Sequence, residues 1–518
     1  MANRESIAMA TAVKEHIFYM ELIVKQKKED IIMTKLQGKF PKEFLWGGAT
    51  SASQYEGGYL EGGRGLSHLD YIRRIEKDDK EKIFPINVTA DMFHDHKLHE
   101  KEYNFPFRRG SQFYTHYKED IALLGEMGYK TFRLSISWSR LFPTGLEEKP
   151  QQEGVDFYHH VFQECRKHGI EPLVTMIHYE IPVHLTETIN GWEDPKMIEY
   201  FFHYSKFLID EYKNEVKYWI TFNEINMIMN SPYLGGGMFV EQSSKPAETA
   251  IHQGLHHQLL ASALTAKYFH ENTKDAFIGN MICRLQNYPY TCKPADVLAA
   301  QQQSQFNYFP TDVQVKGYYP ASILNYYDKN NIELDWYPDY KQILKEGTVD
   351  FASISYYHTA VISTDPDKAE PIGRFVRDLE NPYNERTDWG WGIDPTGLRI
   401  ALNDINDRYG VPVFIVENGL GAHDTLTDEK KVHDAYRIDY LKAHIQAIKD
   451  ALSDGCDVMG YTPWGCIDLV SMGDAQMTKR YGFVYVDAND DGNGTYSRYR
   501  KDSFYWYKKV IESNGEEL

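Results

Sequence analysis

A chain of 518 residues, 42% apolar and 25% charged, has the composition of a large globular enzyme, and it contains no apolar run of the roughly 20 residues needed to cross a bilayer. Its formal net charge of −19 excludes the basic face of a nucleic-acid binder, and it requires any anionic substrate to be held by a local cation. The aromatic content of 14% supplies core, and also flat platforms for sugar rings. Five cysteines (Cys165, Cys283, Cys292, Cys456 and Cys466) form an odd set with no C-x-x-C spacing and no secretory signal. The expectation is reduced thiols in a cytosolic protein, with no metal bound by them.

Residues 1–38 differ from the remainder. The apolar stretch 17–24 is flanked by acidic and basic residues that exclude a signal-peptide core. It reads either as a short amphipathic helix or as an upstream extension, with the working protein starting near Met33, and no function attaches to it. Residues 39–518 read as one catalytic domain. Eight strand-like runs follow in order, at 44–50, 131–138, 172–178, 216–224, 276–281, 351–357, 413–417 and 457–464. Helical patterns lie between them at 117–127, 157–168, 198–212, 252–269, 395–409 and 430–450. Strand and helix in alternation predict an α/β fold, a single (β/α)8 TIM barrel. Two connections, 52–111 and 285–348, are too long for ordinary loops. They are expected to leave the carboxyl edge of the barrel and shape a pocket.

Two of the runs end in glutamate. The fourth closes on Thr221-Phe222-Asn223-Glu224 and the seventh on Val416-Glu417-Asn418-Gly419. In an α/β barrel that edge is where reacting groups collect. Two carboxyls facing one another there suit the cleavage of a glycosidic bond with retention, which places them roughly 5–5.5 Å apart. One attacks the anomeric carbon and the other protonates the leaving oxygen. At that distance a charged Glu417 is expected to raise the pKa of Glu224 and keep it protonated. Arg133, inside the second run, is a buried cation that must be paired. Asn223 precedes the acid and is placed to reach a sugar 2-hydroxyl.

The two glutamate motifs, together with Phe44-Leu45-Trp46-Gly47-Gly48-Ala49-Thr50-Ser51-Ala52-Ser53-Gln54-Tyr55-Glu56-Gly57, resemble glycoside hydrolase family 1 from about Lys35 to the end of the chain. The resemblance implies Glu224 as acid/base and Glu417 as nucleophile, with Arg133 paired to Glu417. It implies that Gln54 and His178 hold the 3-hydroxyl and its neighbours, and that Tyr357 bonds the nucleophile or the ring oxygen. It makes Trp464 the floor under the sugar, and Tyr179 and Trp391 further sugar or aglycone contacts, with Trp389 an alternative to Trp391. Ser355 stands where many members have Asn, a local departure from the pattern. No metal or organic cofactor is implied.

The substrate class is read after Trp464. Members acting on plain sugars have a Glu-Trp pair where this chain has Ser471-Met472. A carboxylate there would repel a 6-phosphate, whereas serine offers a donor. Lys479 and Tyr481 are two apart on an extended segment and project from one face, with Arg480 pointing the other way. Serine, lysine and tyrosine can converge on a phosphate of about −1.5 to −2 charges. The set resembles the 6-phospho-β-glycosidases of the family. Met472, where the galactosidases have Trp, leans toward glucosides. The expectation is a cytoplasmic, retaining 6-phospho-β-glucosidase acting on a small sugar phosphate, without nucleic-acid or membrane partners; a homo-oligomer is compatible with the sequence. The alternatives are a 6-phospho-β-galactosidase, a β-glucosidase for unphosphorylated sugars, or a non-catalytic sugar-phosphate sensor, against which both glutamates argue.

Overall fold

The computed structural model describes residues 38–75, 85–368 and 379–518. The extension read at 1–38 lies outside the described residues except for Gly38. Eight parallel strands form a closed barrel: β1 (Leu45–Ala49), β2 (Thr131–Ser135), β3 (Glu171–Ile177), β4 (Tyr218–Phe222), β5 (Phe277–Cys283), β6 (Phe351–Tyr356), β7 (Val413–Asn418) and β8 (Val458–Tyr461), in the spatial order β1-β8-β7-β6-β5-β4-β3-β2. Each strand is followed by a barrel helix: α1 (Phe113–Glu126), α2 (Gln152–Lys167), α3 (Lys196–Tyr212), α4 (Ala247–Asn272), α5 (Pro294–Lys316), α6 (Pro395–Tyr409), α7 (Ala435–Asp454) and α8 (Asp502–Glu512). The predicted (β/α)8 barrel is therefore the observed fold.

The strands separate two apolar layers. Leu173, Ile220, Met281, Phe351, Phe414 and Val416 fill the barrel interior. Strand neighbours of opposite parity, such as Phe132, Val174, Trp219 and Ile415, join the larger core under the helices. Helix α2 shows how a helix meets that core: Val155, Tyr158, Phe162 and Cys165 are buried at three- and four-residue intervals. Helix α6 starts where Asp394 accepts a bond from the Gly397 amide, with Pro395 in its first turn, and it stops at Gly410 with φ +63°.

The connection 285–348 departs from expectation. It holds the fifth barrel helix, α5, and shorter helices at Ala321–Lys329 and Tyr340–Glu346. Pro310 inside α5 and the run Gln301-Gln302-Gln303 obscure its periodicity in the sequence. The connection 52–111 carries the helix Ala90–Leu98 and several single turns in its described part. The helix expected at 430–450 begins only at Ala435, because the Asp434 carboxylate takes the Arg437 guanidinium and the Ser503 amide. Expected strand ends also retreat: Trp138 opens a short helix, while His178 and Trp464 lie just past β3 and β8.

Candidate active site

The nucleophile candidate is aimed by an irregularity in β7. Ile354 of β6 faces Ile415, but the next residue, Ser355, faces Glu417, so Val416 and Glu417 together oppose one residue. Phe414 and Val416 both belong to the interior layer, and regular alternation would turn Glu417 out toward the helices. The bulge turns it back in, a re-aiming that bulges beside active sites provide. Asn418 anchors the turn after it: its amide donates to the Tyr356 carbonyl at 2.6 Å and its oxygen accepts from the Tyr461 hydroxyl at 2.7 Å.

Arg133 lies fully buried beneath both glutamate strands. It donates to Glu417 Oε1 at 2.5 Å, to Asn223 Oδ1 at 2.7 Å and to Thr175 Oγ1 at 3.0 Å. The Tyr357 hydroxyl donates to Glu417 Oε2 at 2.9 Å. Burial pushes the Glu417 carboxyl up to about 7; Arg133 pulls it down, the charge of Glu224 adds to the rise, and the bond from Tyr357 opposes it.

Glu224 follows β4 with φ +36° and ψ +57°, the left-handed region that costs a non-glycine residue about 1–3 kcal/mol. Its carboxylate accepts from the hydroxyls of Ser355 and Tyr179. Tyr179 also has a positive φ, +68°, so both partners of this contact sit on bent strand ends. Cys283, at the end of β5, contributes a thiol beside Glu224 and Ser355, and burial raises its pKa. Ser355 is thus more than a gap in the family pattern: its hydroxyl holds Glu224. Neither Cys283 nor Thr175 stands out in the sequence, because each is a small residue inside an apolar run.

His178 and Trp464 stack at 5.5 Å with 24° between planes. Burial and the charge of Arg133 keep the His178 ring neutral, lowering its pKa well below the usual range. Its Nδ1 and the Asn223 Nδ2 are buried without a hydrogen-bond partner among the described residues, so both offer polar capacity at the strand edge. Gln54 is more engaged than expected: its amide donates to the Val470 carbonyl at 2.7 Å and its oxygen accepts from Ser51 at 2.8 Å. Trp391 lies 5.5 Å from Tyr357 and stacks on His358, while Trp389 packs against His423 instead.

The second cluster adjoins the first through Tyr481, whose ring lies 6.5 Å from that of Tyr357. Lys479 is 2% exposed, with its ammonium 4.3 Å from the Trp391 ring and 5.0 Å from that of Trp389. Lys479 and Tyr481 share one face: a Cβ on Gly421 would meet Lys479 Cε at 2.9 Å and Tyr481 Cζ at 3.1 Å. Arg480 points away and pairs with buried Asp468 at 2.9 Å. Ser471 is buried beside Tyr481, while Met472 is half-buried against the core. Sequence reasoning missed Asp474, whose Oδ2 accepts from Lys479 Nζ at 2.8 Å and from Ser471 Oγ at 3.4 Å. Among the described residues no group of three or more His, Cys, Asp or Glu side chains could hold a metal ion, and no helix is long and apolar enough to cross a membrane.

The glycosyl hydrolase family 1 model matches residues 36–516. The chain is 45% identical to the aryl-phospho-beta-D-glucosidase BglH of Bacillus subtilis (strain 168), across 94% of this chain and 100% of that one. It is 46% identical to the 6-phospho-beta-glucosidase AscB of Escherichia coli (strain K12), across 92% and 99%. The family 1 b-glucosidase from Thermotoga maritima superposes with a TM-score of 0.77 at 30% identity, covering 93% of this chain and 99% of the other. The chain belongs to glycosyl hydrolase family 1.

Proposed function

We propose that the protein hydrolyses 6-phosphorylated β-glucosides with retention of anomeric configuration. The observation that carries the phosphate specificity is the buried Lys479 ammonium beside Ser471 and Tyr481, next to the glutamate pair. In a chain of net charge −19 an anionic substrate needs a local cation, and Lys479, whose ammonium has three donors and bonds Asp474, can supply it. Relatives named as phospho-β-glucosidases, among them a phospho-cellobiase of Klebsiella oxytoca at 44% identity, support the same substrate class.

In this reading the Glu417 carboxylate, whose charge Arg133 and Tyr357 favour against burial, attacks the anomeric carbon. Glu224, met by two hydroxyls rather than a cation, gives its proton to the departing glycosidic oxygen as the C–O bond breaks. Water then attacks the glycosyl ester, Glu224 takes its proton, and Glu417 leaves as carboxylate. Asn223 Nδ2 serves the 2-hydroxyl, and Gln54 and His178 the neighbouring hydroxyls. Trp464 floors the ring, while Tyr179 and Trp391 line the way to the aglycone. Met472 in place of a bulky indole selects the gluco epimer. The compartment proposed is the cytosol, where phosphorylating uptake would deliver such a substrate.

The test is hydrolysis of matched nitrophenyl β-glucosides, with and without a 6-phosphate, by the parent and Lys479→Ala. Strong preference for the phosphorylated compound, lost in the variant, is the expected result. Equal turnover of both compounds by the parent would make the protein an ordinary β-glucosidase.

A further inference from the structure

The phosphate cradle already contains an anion of the chain's own. One oxygen of Asp474 accepts from both Lys479 and Ser471, two of the three groups assigned to the substrate phosphate. The two partners of the ion pair differ in freedom. The Lys479 side chain is 3% exposed and fixed against two indoles, whereas the Asp474 side chain is 26% exposed. Asp474 rides on a tight turn closed by the Ser471 amide on the Gln476 carbonyl at 2.7 Å and by the Ala475 amide on the Ser471 carbonyl at 2.9 Å. Within that turn, nothing lies within 4 Å of where a Gly473 Cβ would stand, so the tip has space to reorient.

We propose that Asp474 is an internal stand-in for the substrate phosphate: it occupies Lys479 and Ser471 in the empty enzyme and is displaced outward when a 6-phosphate enters. The inference rests on the phosphate reading of the cradle and adds a specificity-determining residue to it. A carboxylate and a phosphate of about −1.5 to −2 charges cannot share one ammonium at contact distance without strong repulsion. A neutral 6-hydroxyl brings no charge to exchange for the carboxylate. The exchange therefore weakens all anion binding somewhat while reserving the lysine for strong anions. Asp474 also offsets the burial that lowers the pKa of Lys479.

The experiment measures KM for nitrophenyl 6-phospho-β-glucoside and the competitive Ki of inorganic phosphate in the parent, Asp474→Asn and Asp474→Glu. Asp474→Asn is expected to lower KM and Ki together by about fivefold, the scale of one partly exposed ion pair no longer broken on binding. Asp474→Glu retains the charge and is expected to stay close to the parent. Unchanged or raised KM and Ki in Asp474→Asn, or identical behaviour of the two variants, would overturn the proposal. Lys479→Ala, run alongside, separates the two levels. If it keeps the preference for phosphorylated substrate, the phosphate reading itself falls. If it loses that preference while Asp474→Asn changes nothing, only the role of Asp474 falls.

Discussion

At the scale of single residues, the roles proposed for the two glutamates rest on their unequal surroundings. Glu417 is met by a guanidinium and a phenol, and Glu224 by a serine and a tyrosine hydroxyl. Arg133 reaches Glu417, Asn223 and Thr175 at once, a fork geometry that lysine cannot copy. Arg133→Lys is expected to lower kcat by about 10²–10³-fold, the scale of losing a preorganised electrostatic partner. Steady-state kinetics on the phosphorylated nitrophenyl glucoside would show it. Ser355→Ala removes one donor to Glu224 and should lower kcat up to about tenfold, the worth of a single hydrogen bond, with a smaller change in KM. A KM effect larger than the kcat effect would mean that Ser355 serves the sugar instead. Glu224 and Glu417 stand out in the sequence as glutamates closing apolar runs and Arg133 as a cation inside one, whereas Lys479 is read from its spacing to Tyr481 and from the resemblance of Ser471, Lys479 and Tyr481 to a phosphate-binding pattern. Asp474 and Cys283 do not stand out, since their importance lies in partners that only the folded chain brings near.

At the scale of elements, strand and helix order was legible from periodicity, but the aim of β7 was not. Val413 to Glu417 reads as a continuous apolar run into a glutamate, and nothing in it marks the bulge that faces Glu417 inward. Helix α5 is hidden in the sequence by its polar run and internal proline, so its stretch reads as part of a long connection. The phosphate cradle proposed here leans on a glycine that its own motif does not include. Gly421, four residues past Glu417, leaves the space into which Lys479 and Tyr481 lean. Gly421→Ala should push both side chains and raise KM for phosphorylated substrate by roughly tenfold, a shift of one contact's worth. An unchanged KM would show that the cradle can give way by the few tenths of an ångström the methyl requires.

At the scale of the whole molecule, acidic groups sealed at the barrel's carboxyl edge link stability to pH. Burial pushes Glu180 to about 7 against the pull of Arg64 and Ser137, and Glu417 is raised to about 7 as well. Between the ordinary carboxylate value and about 7, the native state holds protons that the unfolded chain has lost. These two groups therefore contribute stability that falls as pH rises through that window, whereas buried histidines such as His178, His252 and His444, whose pKa values burial lowers, contribute stability that rises with pH up to the ordinary histidine value. Glu180→Gln removes one of the two acids, so its stability relative to the parent's should rise between about pH 5 and about pH 8, by on the order of 1–3 kcal/mol as read from melting curves. Parallel melting curves would contradict it. The fold places these buried acids close to the chemistry, and the α/β barrel order that does so could be read from the sequence because it repeats eight times along it.

The most direct test of the account is covalent trapping with a nitrophenyl 2-deoxy-2-fluoro-β-glucoside carrying a 6-phosphate, followed by peptide mapping. Glu417 is expected to carry the fluorosugar phosphate, and the unphosphorylated analogue to label far more slowly. A label on another residue would contradict the retaining pair proposed, and equal labelling without the phosphate would contradict the cradle of Ser471, Lys479 and Tyr481.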